Sequence, residues 1–298
     1  MMRAGLGMIT AAVALSLSGV SPAEEINILF LSKSVGFEHS VVAQNADKPS
    51  LCDTVLSKLA EQMGAKFATT KDASQINAEN LKEYQLVIFY TQGELTQEGG
   101  KDGSPAMGAN GVADLLAWIE NGGGFVGFHC ASDTFHTPEG GPVTPFLQMV
   151  GGEFAGHGKQ FVGTVKVVDA DHPTVASIPK EWSINDEWYT FRNLNKDQMH
   201  VVALLDPGEE RSKQEMYNVP NYPVIWCSER GKGRVFFNAM GHREDVWENE
   251  TFQKSVVDAI QWSSGKGSTQ AKPNYAIAVG EESKPAAKSP GISKKKEE

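Results

Sequence analysis

Short, almost uninterrupted apolar runs alternate with amphipathic stretches through the first half of this chain, and that alternation constrains the fold more than any other feature. Ile26-Asn27-Ile28-Leu29-Phe30-Leu31, Leu86-Val87-Ile88-Phe89-Tyr90 and Phe125-Val126-Gly127-Phe128 are strand-length and lack a polar face, as expected of strands covered on both sides. Between them, residues 50–64 place Leu51, Val55, Leu59 and Met63 at helical spacing, with Ser50 as N-cap and Gly64 as stop. Residues 112–121 repeat the pattern with Val112, Leu115, Leu116 and Ile119, ended by Gly122-Gly123-Gly124. Further strands are expected at 67–69, 161–168, 201–205, 224–228 and 234–238, with a closing helix at 251–262. The order predicts an α/β fold: a mostly parallel sheet between two helix layers. Ligands of such sheets bind beyond the carboxyl ends of the strands. The loops opening at Ser32, Gln92 and His129 are therefore expected to share one rim.

The chain has 298 residues and a formal charge of −10, which disfavours nucleic acid and anionic membrane as partners and suits a neutral ligand. Residues 1–23 pair Arg3 with a short apolar core and end Ser21-Pro22-Ala23, the layout of a secretory signal cut before Glu24. That layout predicts a periplasmic or secreted protein with no membrane contact after cleavage. Residues 24–264 form the expected single domain. Residues 265–298 turn to Lys, Pro, Ala and Gly and are expected to be a disordered tail. Cys52, Cys130 and Cys227 lack CxxC spacing, so neither a disulfide framework nor a zinc ribbon is indicated; one bridge and one free thiol would still be compatible with export.

The most informative segment is Gly124-Phe125-Val126-Gly127-Phe128-His129-Cys130-Ala131-Ser132-Asp133. A strand that turns sharply into a helix can display one side chain at the tip, provided small residues lie two before and two after it. Centring on His129 gives Gly127 and Ala131, whereas centring on Cys130 gives Phe128 and Ser132. His129 is therefore the residue expected at the tip. Of the seven histidines, His39, His129, His157 and His242 fall at expected strand ends, while His136, His172 and His200 read as surface or turn residues. Clustered imidazoles serve acid–base chemistry near neutral pH or bind a transition metal with carboxylate help. Asp133, Asp186 and Glu187 could give that help. No tight ligand motif such as HExxH occurs, so no cofactor is required by the sequence, a divalent transition metal being the one group these residue types could hold. Residues 182–191 mix Trp182, Trp188, Tyr189 and Phe191 with two acids; aromatic faces beside carboxylates suit a sugar ring, and equally suit a core beneath a loop.

Six blocks, in order, carry a resemblance: Gly36-Phe37-Glu38-His39-Ser40, residues 122–129 with Asp133, Gly151-Gly152-Glu153-Phe154-Ala155-Gly156-His157, Asp171-His172-Pro173, Asp186-Glu187-Trp188-Tyr189, and residues 233–242. The chain resembles ThuA-like (trehalose-utilisation) domains over roughly residues 26–264. The resemblance implies a flavodoxin-like three-layer α/β/α sandwich similar to class I glutamine amidotransferases. In those enzymes the tip holds a Cys and a later His-x-Glu completes a triad; here His242-Arg243-Glu244 resembles that pair but the tip falls on His129. The thiolate that amide hydrolysis needs is missing there, so a glutaminase is not expected. The expected function is an enzyme acting on a small carbohydrate or oxidised (keto) glycoside. His129, His242, Glu187 and Asp133 are the expected catalytic groups. His39, Gly93, His157, Asp186, Trp188, Tyr189 and Glu244 are expected to bind substrate. A non-catalytic carbohydrate-binding protein and a metal-dependent hydrolase are the alternatives.

Overall fold

A computed structural model of the chain describes residues 25–44, 48–218, 221–265 and 271–280. The signal-like segment 1–23 and residues 281–298 lie outside them. Nine strands form one sheet in the order β2-β1-β3-β4-β11-β10-β9-β6-β7. The strands are β1 Asn27–Leu31, β2 Lys66–Thr70, β3 Leu86–Phe89, β4 Gly124–Phe128, β6 Phe161–Val167, β7 Glu181–Asp186, β9 His200–Asp206, β10 Tyr222–Arg230 and β11 Gly233–Asn238. A small antiparallel pair, β5 Glu153–His157 with β8 Tyr189–Arg192, stands apart. From β2 to β11 all pairings are parallel, in the 2-1-3-4 order of flavodoxin-like sheets. From β11 outward the pairings are antiparallel. The sheet is thus mixed, a parallel half continued by an antiparallel half, because the β10–β11 hairpin turns at Gly231 and Lys232 and needs no crossover helix.

Helix α1 (Leu51–Gln62) begins with a capping box between Ser50 and Asp53, which satisfies backbone donors that the first turn leaves open. It packs on β2 and on α6 (Glu250–Ser263), which lies along β4 and β11. On the other side α2 (Gly111–Glu120) and α3 (Pro145–Val150) pack together against β11. The short helices α4 (Glu209–Ser212) and α5 (Glu244–Trp247) sit in later loops. The parallel strands are buried along almost their whole length, as their unbroken apolar runs predict.

Two expectations need correction, and one open point is settled. Residues 271–280 fall within the expected disordered tail, yet α7 (Tyr275–Ala278) docks on β9. Ala271, Tyr275 and Val279 are buried, and the Asn274 side chain bonds both backbone groups of Val201. The open point is the cysteines: all three are free and buried, in keeping with a sequence that indicates no disulfide framework. His200 is neither a surface nor a turn residue: it lies buried in β9 and bonds Asp169 and the Lys272 carbonyl, whereas His172 does cap a short turn, although it is buried there.

Candidate metal centre

Each parallel strand near the middle of the sheet delivers one group to the same spot beyond its carboxyl end. His39 comes from the loop after β1, Tyr90 directly follows β3, His129 follows β4 and His242 follows β11. His129 has φ 41°, the left-handed region that few non-glycine residues occupy. A Cβ on Gly127 would lie 3.2 Å from the Ala131 Cβ, the close approach that the elbow spacing implies. Such a strained residue at a strand end is a mark of a turn shaped to aim a side chain. Cys130, next to it, is buried, and burial pushes its thiol well above the ordinary range; no thiolate stands at the tip.

Glu187 arrives from the other half of the sheet, one residue beyond β7. Its Oε2 lies 3.1 Å from His242 Nδ1 and 3.6 Å from His129 Nε2, and those two nitrogens are 3.3 Å apart. One ring nitrogen of His39 joins them, so that four donor atoms fall within 4.8 Å of one another. His129 Nδ1 lies 2.8 Å from the Ala239 carbonyl. A carbonyl only accepts, so Nδ1 carries the proton, and in the neutral ring Nε2 keeps its lone pair for the centre. The other Glu187 oxygen, Oε1, lies 3.1 Å from His157 Nδ1. Tyr189 lays its ring 3.9 Å from that of His129 and brings its hydroxyl to 3.4 Å from His39 Nε2.

Burial and neighbouring charge set the protonation of the group. His39 is lowered to about 2, first by burial and then by the neighbouring His129 and His242 imidazoles. Burial would raise the Glu187 carboxyl, but its contacts with the His129 and His242 imidazoles outweigh it and hold the group well below the carboxylate range. Burial would lower His242, but Glu187 outweighs it and the imidazole ends above its ordinary value. A cation fits this set. Zinc-type bonds of about 2.0–2.1 Å put neighbouring ligands of a tetrahedral site ~3.3 Å apart, close to the three spacings above. His39 Nδ1 is buried with no hydrogen-bond partner among the described residues, and a buried polar atom left so is costly unless something fills the gap. The second contacts of His129 and Glu187 are of the kind that orient metal ligands.

The remaining expected site residues fall elsewhere. Asp133 is not in the centre; its carboxylate accepts from Gln92 Nε2 at 2.8 Å and pairs with His136 Nε2 at 2.8 Å. Asp186 is fully buried and accepts from the backbone N–H of Gly241 and of Glu187, so it fixes the turn that carries His242 instead of meeting a ligand. Trp188 is core, its indole bonded to the Phe161 carbonyl, and Tyr189 is 3% exposed; neither offers a face to a sugar. Gly93 acts through its backbone, donating to the Asp133 carbonyl at 2.8 Å. Glu244 accepts from the Ser40 hydroxyl, so the carboxylate partner of His242 is Glu187 and the triad-like pair is not formed. Sequence reasoning passed over Tyr90, which donates to the Gly241 carbonyl at 3.0 Å. Its place at the end of an apolar strand was the available signal.

The profile of the ThuA family, described as trehalose utilisation, matches residues 27–263. A ThuA-like protein from Bacteroides uniformis ATCC 8492 superposes with a TM-score of 0.63 at 21% identity, covering 87% of this chain and 98% of that one. One from Parabacteroides merdae ATCC 43184 gives 0.58 at 16%, covering 85% and 96%. A search of curated proteins found no match. The architecture is the class I glutamine amidotransferase-like fold. With nearly the whole described domain inside the profile, the chain belongs to the ThuA family.

Proposed function

We propose that this chain is a metal-dependent enzyme acting on a small, hydroxyl-rich carbohydrate at the His39, His129, Glu187 and His242 centre. The observation that carries the reading is the spacing of 3.1, 3.3 and 3.6 Å among the His129, His242 and Glu187 donor atoms. When bound, a divalent transition ion supplies Lewis-acid polarisation of a carbonyl or hydroxyl oxygen. The chain supplies the rest. Ala239 and His157 hold His129 and Glu187 in orientation, and the Tyr189 ring shields His129 from water. His157 is the most open imidazole of the group, its side chain 42% exposed, with Nδ1 engaged by Glu187 and by the Gly158 carbonyl. Its Nε2 is the group placed to pass a proton to or from a ligand oxygen. The carbohydrate assignment rests on the family description and on the charge of −10, which repels anionic ligands.

Protein purified without chelators is expected to carry about one divalent transition ion per chain by elemental analysis. Chelation should remove turnover in a screen of glycosides and keto-glycosides that includes trehalose, and the ion should restore it. Full turnover by ion-free protein would sink this reading. Export belongs to the same proposal, supported by the basic start, apolar core and small residues of 1–23. Mass spectrometry of protein from its native cell should find Glu24 at the N-terminus; soluble cytoplasmic material retaining Met1 would contradict it.

A further inference from the structure

The burial of Trp188 and Tyr189 leaves the expected sugar-stacking face without an owner, and the rim of the centre supplies another. Phe37 is 60% exposed, and its ring stands perpendicular to that of His39 with centroids 4.9 Å apart. It is therefore one ring away from the proposed ion. Isolated exposed aromatics are ordinary on protein surfaces; this one is distinguished by how firmly its backbone is held. Gln92 Oε1 accepts from the N–H groups of both Gly36 and Phe37 at 2.8 Å, while Gln92 Nε2 donates to Asp133 at 2.8 Å. A Cβ at position 36 would come within 2.8 Å of that same Oε1, so glycine is what allows the amide to close on the loop. Behind Asp133, His136 bridges to Glu153, a fully buried carboxylate that Arg192, Thr137 and Asn193 hold ionised, with its pKa lowered to about 2. A chain of polar contacts thus runs from the small β5–β8 sheet to the Phe37 loop.

We infer that Phe37 is a preset stacking platform for the C–H face of a pyranose ring whose oxygens meet the metal centre, and that Gln92, braced by Asp133, is its positioning residue. This inference rests on the carbohydrate reading above. A rigid apolar plate beside oxygen-binding chemistry matches the two-sided character of a sugar, one face of C–H groups and a perimeter of hydroxyls. Because Gln92 fixes the backbone in advance, little loop entropy is lost on binding.

The test uses the full-length, ion-loaded protein and trehalose, glucose and a 3-keto-glucoside as calorimetric probes. Phe37→Ala should raise Kd for the probe that binds best about tenfold or more, Phe37→Trp should restore it, and neither should alter ion content. Gln92→Ala should weaken binding in the wild-type background and add little in the Phe37→Ala background, since residues acting through one another are not additive. Equal affinity of Phe37→Ala and wild type would overturn the platform, as would ion-loaded protein that binds none of the three probes. Protein that binds sugar through Phe37 yet takes up no ion would instead overturn the metal reading and leave the platform standing.

Discussion

His129→Ala is expected to lower turnover by about 10² to 10⁴, the usual consequence of removing a group that acts on the reacting centre, and to strip the bound ion at the same time. The ring supplies one of the three closest donor atoms and is oriented by the Ala239 carbonyl. Cys130→Ala should keep most of the activity, because that thiol is buried and held protonated. Steady-state kinetics and ion content on the two variants decide the matter. Loss of turnover in Cys130→Ala with His129→Ala active would bring back a thiol mechanism.

The ion-free protein is expected to lose about 2–3 kcal/mol of stability between pH 6.5 and 4.5, at ~1.4 kcal/mol per pH unit for one proton. The group responsible is His39. Its folded pKa, about 2, lies far below the ordinary 6.5, so over this window the unfolded chain binds a proton that the folded chain refuses. Glu187 acts in the same direction at lower pH: its depressed folded value contributes stability that is present above the ordinary carboxylate range and lost on acidification. His242 works on the opposite flank. Its raised folded pKa contributes stability below its ordinary value, which is lost as pH climbs through the folded value. Urea unfolding of chelated protein across this range, compared with His39→Gln, would show the slope and its removal. An unchanged acid slope in the variant would mean that the proton is taken up elsewhere. Bound ion should steepen the acid loss, because ligands must shed protons to coordinate.

The parallel half of the fold was legible because β1, β3 and β4 are buried on both faces along nearly their whole length and are therefore apolar at almost every position. The elbow was legible for a steric reason: only small residues fit at 127 and 131, and that leaves a trace in the sequence. The partner of His242 was not legible. Glu244 lies two residues away in sequence and Glu187 many residues away, and nothing local states that β7 ends beside β11's loop. Trp188 misled for a related reason, since an aromatic flanked by acids reads alike whether its ring faces a ligand or the core. Asp133 was expected among the catalytic groups, yet its carboxylate lies outside the four-donor set and accepts from Gln92. Residues 271–280 were assigned to the tail on composition, which registers the few apolar side chains of a segment but not the surface on β9 that receives Tyr275 and Val279.

The centre draws His39, His129 and His242 from the parallel half of the sheet and Glu187 from the antiparallel half. No fragment holding only one half contains a complete set of donors. An ion seated there would behave as a clasp between two structural halves, and its affinity would register how well they are docked. Anything that loosens the β10, β9, β6, β7 extension, even at a distance from the rim, would be felt as weaker ion retention before the parallel strands themselves came apart.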